Sequence, residues 1–108
     1  MDRLVDARDF RRLSRSGRRS VSSSFIVLAG KVEREPTGAR LGITASRRVG
    51  GAVERNRVKR VVREWFRRRR CSLQCDLDLV VIARAPAVGL GAMEAARELD
   101  ALLREGGA

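Results

Sequence analysis

Residues 46–67 read SRRVGGAVERNRVKRVVREWFR, and the fold turns on how this run is laid out in space. Val58, Val61, Val62, Trp65 and Phe66 recur at i, i+3, i+4, i+7 and i+8, the spacing of one apolar stripe on an α-helix. With Val58 at zero and about 100° per residue, Lys59, Arg63, Asn56, Arg67 and Arg60 fall between roughly 100° and 200°, opposite that stripe. Arg55 and Arg57 flank this ridge in the first turn. The spacing therefore predicts a helix over 52–68 that packs its stripe on a sheet and presents a basic ridge to solvent. It should fray near Arg68, because Arg69 would swing back to the apolar side. Arg47 and Arg48 stand just ahead, and Gly50 and Gly51 open the helix, where backbone N–H groups at its positive end suit a phosphate.

A solvated face laced with ion pairs does not account for the ridge. Residues 47–70 hold 11 Arg and Lys against Glu54 and Glu64 alone. Like charges at i, i+4, such as Lys59 with Arg63 and Arg63 with Arg67, repel one another. An anionic partner relieves that repulsion, and nucleic acid is the first candidate. The remainder of the chain is less basic: residues 1–46 carry +5, residues 47–70 +9 and residues 76–108 −3, within a formal net charge of +11 over 108 residues.

Short Gly and Pro clusters at 35–38, 50–51, 86–91 and 106–108 divide the chain into periodic pieces. Residues 5–15 form a weak helix, with Asp6 and Asp9 early and Arg11, Arg12 and Arg15 late, ended by Gly17. Residues 21–29 and 40–46 read as an antiparallel pair of strands. In the second, Leu41, Ile43 and Ala45 face the core, while Gly42, Thr44 and Ser46 leave the opposite face small and polar. Residues 78–84 form a buried strand. Residues 92–104 form a last helix with Met93, Ala96, Leu99, Leu102 and Leu103 inward. The expected class is α/β, an α+β sandwich in the order α, β, β, α, β, α with room for one extra short strand. A single domain over 1–108 is expected, with 105–108 a flexible tail.

The absences narrow the chemistry. Without His, imidazole-based acid/base catalysis, Cys/His or Ser/His nucleophile pairs and imidazole zinc sites drop out. Cys71 and Cys75 are too few for a disulfide framework or a four-ligand metal site, and read as ordinary residues of a reducing compartment. Asp76 and Asp78 read as a polar pair at a strand start, since a two-metal site needs further carboxylates. Phe10 and Phe25 are open to two readings, core packing or stacking on RNA. No apolar run approaches the length of a membrane span, and the charged N-terminus is unlike a signal peptide.

Beyond these readings, Ser46 to Arg67 resembles the signature of the protein subunit of bacterial ribonuclease P, including the triplet Arg55, Asn56, Arg57 followed by Lys59, Arg60, Arg63 and Glu64. Asp9 and Phe10, Gly17 and Arg18, Phe25, the run RLGI from Arg40 to Ile43 and the run DLVVIAR from Asp78 to Arg84 follow in the order of that family, so the resemblance covers essentially the whole chain. It implies a fold like domain 2 of ribosomal protein S5, with a left-handed βαβ crossover through the basic helix, against the usual right-handed rule. It also implies a non-catalytic, cytoplasmic subunit. An RNA subunit cleaves precursor tRNA with magnesium ions held mainly by RNA and none bound by the protein alone, while the protein binds that RNA and the 5′ leader. By position, Arg47, Arg48, Arg55, Asn56, Arg57, Lys59, Arg60, Arg63 and Arg67 are implied RNA contacts, and Phe10, Leu28, Thr44 and Ser46 line a leader groove. Ser14 and Leu28 stand where many relatives carry aromatic rings, which makes the groove lean more on charge.

The resemblance implies neither a membrane partner nor a small-molecule substrate. Read from residues alone, a ribosomal-type structural RNA-binding protein is the alternative, with a DNA-reading helix third and a self-sufficient nuclease last. A DNA reader of the helix-turn-helix kind needs a short helix just before the ridge, where a strand and two glycines stand.

Overall fold

Of the sheet-forming runs, residues 77–83 are the most continuously apolar, and this decides the topology. In the computed structural model, which describes residues 11, 13, 15, 17–31, 39–73 and 77–105, the strands are β1 (Arg18–Val21), β2 (Phe25–Lys31), β3 (Arg40–Ala45) and β4 (Leu77–Ala83). They form one sheet in the order β1-β2-β4-β3. β4 is covered on both faces and lies inside the sheet, antiparallel to β2 and parallel to β3. The expected direct pairing of residues 21–29 with 40–46 is therefore corrected. The two strands run in opposite directions, but β4 lies between them, hydrogen-bonded to β2 along one edge and to β3 along the other.

The stretch 21–29 is also not one strand. Ser22 to Ser24 make a turn in which the Ser22 N–H donates to the Phe25 carbonyl at 2.8 Å, and the Phe25 N–H donates to Ser22 Oγ at 3.1 Å. Serine hydroxyls compete for backbone partners and break the strand there. The extra short strand allowed by the sequence is β1.

One sheet face carries the main core. Val27, Leu41, Leu79 and Val81 meet Val58, Val62, Trp65 and Phe66 of the basic helix (Ala52–Arg69) and Leu99 and Leu102 of the C-terminal helix (Ala92–Glu105). Phe25 is 1% exposed within this core, so core packing is the correct reading of the two left open for it. The opposite face carries a smaller cluster of Leu13, Leu28 and Val80. Leu13 belongs to the first helical segment, in which residues 11, 13 and 15 are helical. Gly17 closes that segment, its N–H reaching the Leu13 carbonyl at 2.9 Å. A Cβ at Gly17 would sit 2.7 Å from that oxygen and 2.9 Å from the Ala29 carbonyl, so only glycine fits.

Two helix details differ from expectation. The basic helix continues through Arg69 into a 3₁₀ turn, Arg70–Ser72, because Arg69 finds a carboxylate on the apolar side, that of Asp100. On the C-terminal helix the buried stripe is Ala95, Leu99 and Leu102, which turns Met93 roughly 160° away. Met93 is 71% exposed rather than inward. Phe10, Ser14, Cys75, Asp76 and the tail residues 106–108 lie outside the described residues.

Candidate nucleic-acid interface

The basic helix begins where Gly50 adopts a φ of 155°, a conformation side chains disfavour, and Gly51 caps it. The Glu54 carboxylate accepts the Gly51 N–H at 3.1 Å, half of a capping box. That amide, expected to face a phosphate, is thus occupied by the chain itself. Ahead of the helix Val49 is buried, anchoring a turn on which Ser46, Arg47 and Arg48 are exposed.

Along the helix Asn56, Arg57, Arg60, Arg63 and Arg67 are exposed, and Arg55 and Lys59 half-buried. The ridge and the stripe thus face opposite ways, as the sequence predicts. Arg55 keeps its Nε buried without a hydrogen-bond partner. Each acid whose side chain is described is engaged. Glu54 caps the basic helix, and Glu94 accepts the Gly91 N–H at 3.2 Å at the start of the C-terminal helix. Glu98 holds the Ser22 hydroxyl and the Ser24 N–H, and Asp78 holds Arg40. Asp100 holds Trp65 and Arg69. Glu64 pairs with Arg67, whose hydrogen bond and charge hold the Glu64 carboxyl below the usual carboxylate range. Among the described residues Arg47, Arg48, Arg57, Lys59, Arg60 and Arg63 consequently have no ion-pair partner. Six unneutralised cations on one helix face and its approach make a continuous positively charged surface, of the kind that phosphates neutralise.

On the sheet face away from the main core, the strand register brings out a second feature. Leu28 pairs across the sheet with Val80, and Val80 with Gly42; Leu13 covers this row, leaving Leu28 5% exposed. The next row, Val21, Ile26, Ile82 and Thr44, is partly open. Val21 is 48% exposed, Thr44 is exposed, and Ile26 and Ile82 are half-buried. Arg11, Arg15 and Arg19 are exposed on the elements bordering it. Of the four candidate groove residues, Thr44 and Ser46 are thus at the surface, Leu28 lies in the core and Phe10 lies outside the described residues. Val21, Ile26 and Ile82 extend the floor. They were not legible before β4 was known to lie between β2 and β3.

Among the described residues no three Cys, Asp or Glu come together to hold a metal ion. Asp78 is fully buried, with both carboxylate oxygens on Arg40, at 2.9 Å to Nε and 2.6 Å to Nη2. The described residues do not fit a magnesium site. Cys71 is a free, exposed thiol. No helix among the described residues is long and apolar enough to cross a membrane.

Comparison with known proteins agrees with this geometry. Residues 1–106 match the ribonuclease P protein family. The chain belongs to that family. A ribonuclease P protein component from Desulforapulum autotrophicum is 42% identical over 104 residues, covering 96% of this chain and 87% of the relative. The component from Exiguobacterium sibiricum is 35% identical over 105 residues, covering 97% and 90%. The solved ribonuclease P protein of Staphylococcus aureus superposes with a TM-score of 0.85 at 31% identity, covering 96% of this chain and 94% of that one. That of Thermotoga maritima gives 0.79 at 32% identity, covering 96% and 97%. Membership in the ribonuclease P protein family makes this chain part of an endoribonuclease complex, with a role in tRNA 5′ processing.

Proposed function

We propose that the basic helix and the turn before it hold the RNA subunit of ribonuclease P, and that the outer sheet face receives the 5′ leader of precursor tRNA. The observation that carries this reading is the charge arrangement: the described acids are engaged, and Arg47, Arg48, Arg57, Lys59, Arg60 and Arg63 have no ion-pair partner among the described residues. Phosphates neutralise such a ridge and release its counterions, giving affinity without base recognition. The floor of Val21, Ile26, Ile82 and Thr44, bordered by Arg11, Arg15 and Arg19, suits a single strand whose backbone meets the cations and whose bases lie on aliphatic surface.

In this reading the protein is the non-catalytic subunit of a cytoplasmic ribonucleoprotein. The RNA performs the cleavage, with the holoenzyme's magnesium ions on the RNA. The chain's own part is to screen phosphate repulsion between two RNAs and to fix the leader. Reconstitution of precursor-tRNA cleavage at physiological salt, with and without a bacterial ribonuclease P RNA, tests it. Cleavage is expected only when both are present, and cleavage by the protein alone would contradict the assignment.

A further inference from the structure

Between the basic helix and the 3₁₀ turn Ala85–Gly89 lies a small cleft lined in part by Arg57, Val58, Val61, Ala87, Val88 and Leu90. It encloses about 10 Å³, room for one water at most. Its rim is more informative than its interior. Residues 85–93 read APAVGLGAM, nine positions without a charge in a chain that is 34% charged. Ala87 is buried and plugs the core, whereas Val61, Val88 and Leu90 stay half-exposed at its margin. Arg57, exposed and without an ion-pair partner among the described residues, lines the same cleft. Arg84, also exposed, precedes the turn and donates from Nη1 to the Ser22 carbonyl at 2.9 Å. Glu54 and Glu94, in the first turns of the two helices, are both held by their own capping amides. The patch is aliphatic, bordered by guanidinium groups and free of any unengaged carboxylate among the described residues.

That charge pattern selects its occupant. A neutral or basic protein surface gains nothing from Arg57 and Arg84, and a second copy of this chain brings another net charge of +11. An RNA brings a phosphate for the guanidinium and a flat apolar base for the aliphatic floor. We infer that Val61, Val88 and Leu90 seat an unpaired nucleobase of the RNA whose phosphate lies against Arg57. This rests on the assignment of the basic helix to RNA binding and extends the interface around the helix, beyond the ridge, onto the 85–90 segment. An apolar contact releases no counterions. Its contribution is therefore the same at all salt concentrations, whereas that of the ridge falls steeply as salt rises.

The test is equilibrium binding of the full-length protein to a ribonuclease P RNA transcript over a salt series, with melting temperatures recorded alongside. Val88→Ser and Leu90→Ser should each weaken binding by about tenfold at every salt concentration, leaving the logarithmic salt slope unchanged. Val88→Ile should bind like the parent. Arg57→Ala should instead flatten the slope by about one phosphate contact, roughly 0.7 to 0.9. Val88→Thr, isosteric with valine, serves in place of any serine variant whose melting temperature falls, and should weaken binding in the same salt-independent way. Folded serine and threonine variants that bind like the parent, or that alter the slope, overturn the proposal, as does a change in oligomeric state as their main effect. Arg63→Ala separates the two levels. If it weakens binding while the patch variants do not, the patch alone is wrong; if it too is silent, the ridge assignment falls and the patch with it.

Discussion

The indole Nε1 of Trp65 donates to Asp100 Oδ1 at 2.8 Å, and the same carboxylate accepts Arg69 through Nε at 3.0 Å and Nη2 at 2.8 Å. Trp65 and Arg69 are four apart on one side of the basic helix, so a single acid on the C-terminal helix fixes that helix about its own axis. The rotation it fixes is the one that buries Val58, Val62 and Phe66 and leaves Arg60 and Arg63 in solvent.

Removing this acid should loosen the junction. Asp100→Ala is expected to cost about 1 to 3 kcal/mol, since the buried indole N–H loses its acceptor. The Arg69 hydrogen bond, aided by that from Trp65 and by nearby positive charge, holds the Asp100 carboxyl below its ordinary value of 3.8. A carboxyl depressed in the folded state stabilises above its unfolded pKa, and that contribution is lost as pH falls through the folded value. Thermal melts of the parent should therefore drop below about pH 4. Asp100→Asn should start lower at neutral pH and lose less on acidification; parallel pH curves for the two would contradict the pairing.

The opposed faces of the helix make a sharper contrast. Arg60→Ala and Arg63→Ala should weaken RNA binding with little change in melting temperature. Trp65→Ala, at a site 3% exposed, should cost about 3 to 5 kcal/mol of stability. Equal losses of stability in all three variants would refute the assignment of faces.

The helix was readable because its periodicity, its charge count and its glycine start agree. The stripe of Val58, Val62, Trp65 and Phe66 is buried and the ridge is exposed as the spacing predicts. Strand order was not readable, because β2 and β3 each look like partners locally, and the decision rests on β4, which is separated from the end of β3 by 31 residues. The floor of Val21, Ile26 and Ile82 was invisible for the same reason, since only the register aligns it with Thr44. Met93 was misplaced because an apolar residue in a first helical turn fits two stripes, and Ala95 chose the other. The burial of Leu28 depends on Leu13 crossing the sheet, a long-range contact that neither residue's neighbours announce.

Arg40 and Asp78 join the parallel strands β3 and β4 at their first paired position, with the Asp78 side chain fully buried and that of Arg40 18% exposed. Asp78→Ala leaves a half-buried guanidinium without its carboxylate and should cost about 3 to 5 kcal/mol in urea unfolding. The double variant Arg40→Met, Asp78→Leu should recover most of that loss. A single variant as stable as the parent would show that the pair contributes nothing to strand register.

The outer sheet face should distinguish precursor from mature tRNA. Thr44→Glu sets a negative charge on the floor and should weaken holoenzyme binding of leader-bearing precursor several-fold, leaving mature tRNA unaffected. Trimming the leader stepwise to one nucleotide should remove the difference between the variant and the parent. Parent affinity that does not change on trimming would mean that the leader does not use this face.

If the ridge and its approach bind RNA through phosphates, the salt dependence of affinity for the RNA subunit reports it. With about six cations on phosphates, the logarithm of the binding constant should fall against the logarithm of salt with a slope of roughly −4 to −5. A slope near −1 would show that the ridge is largely idle and would contradict the account.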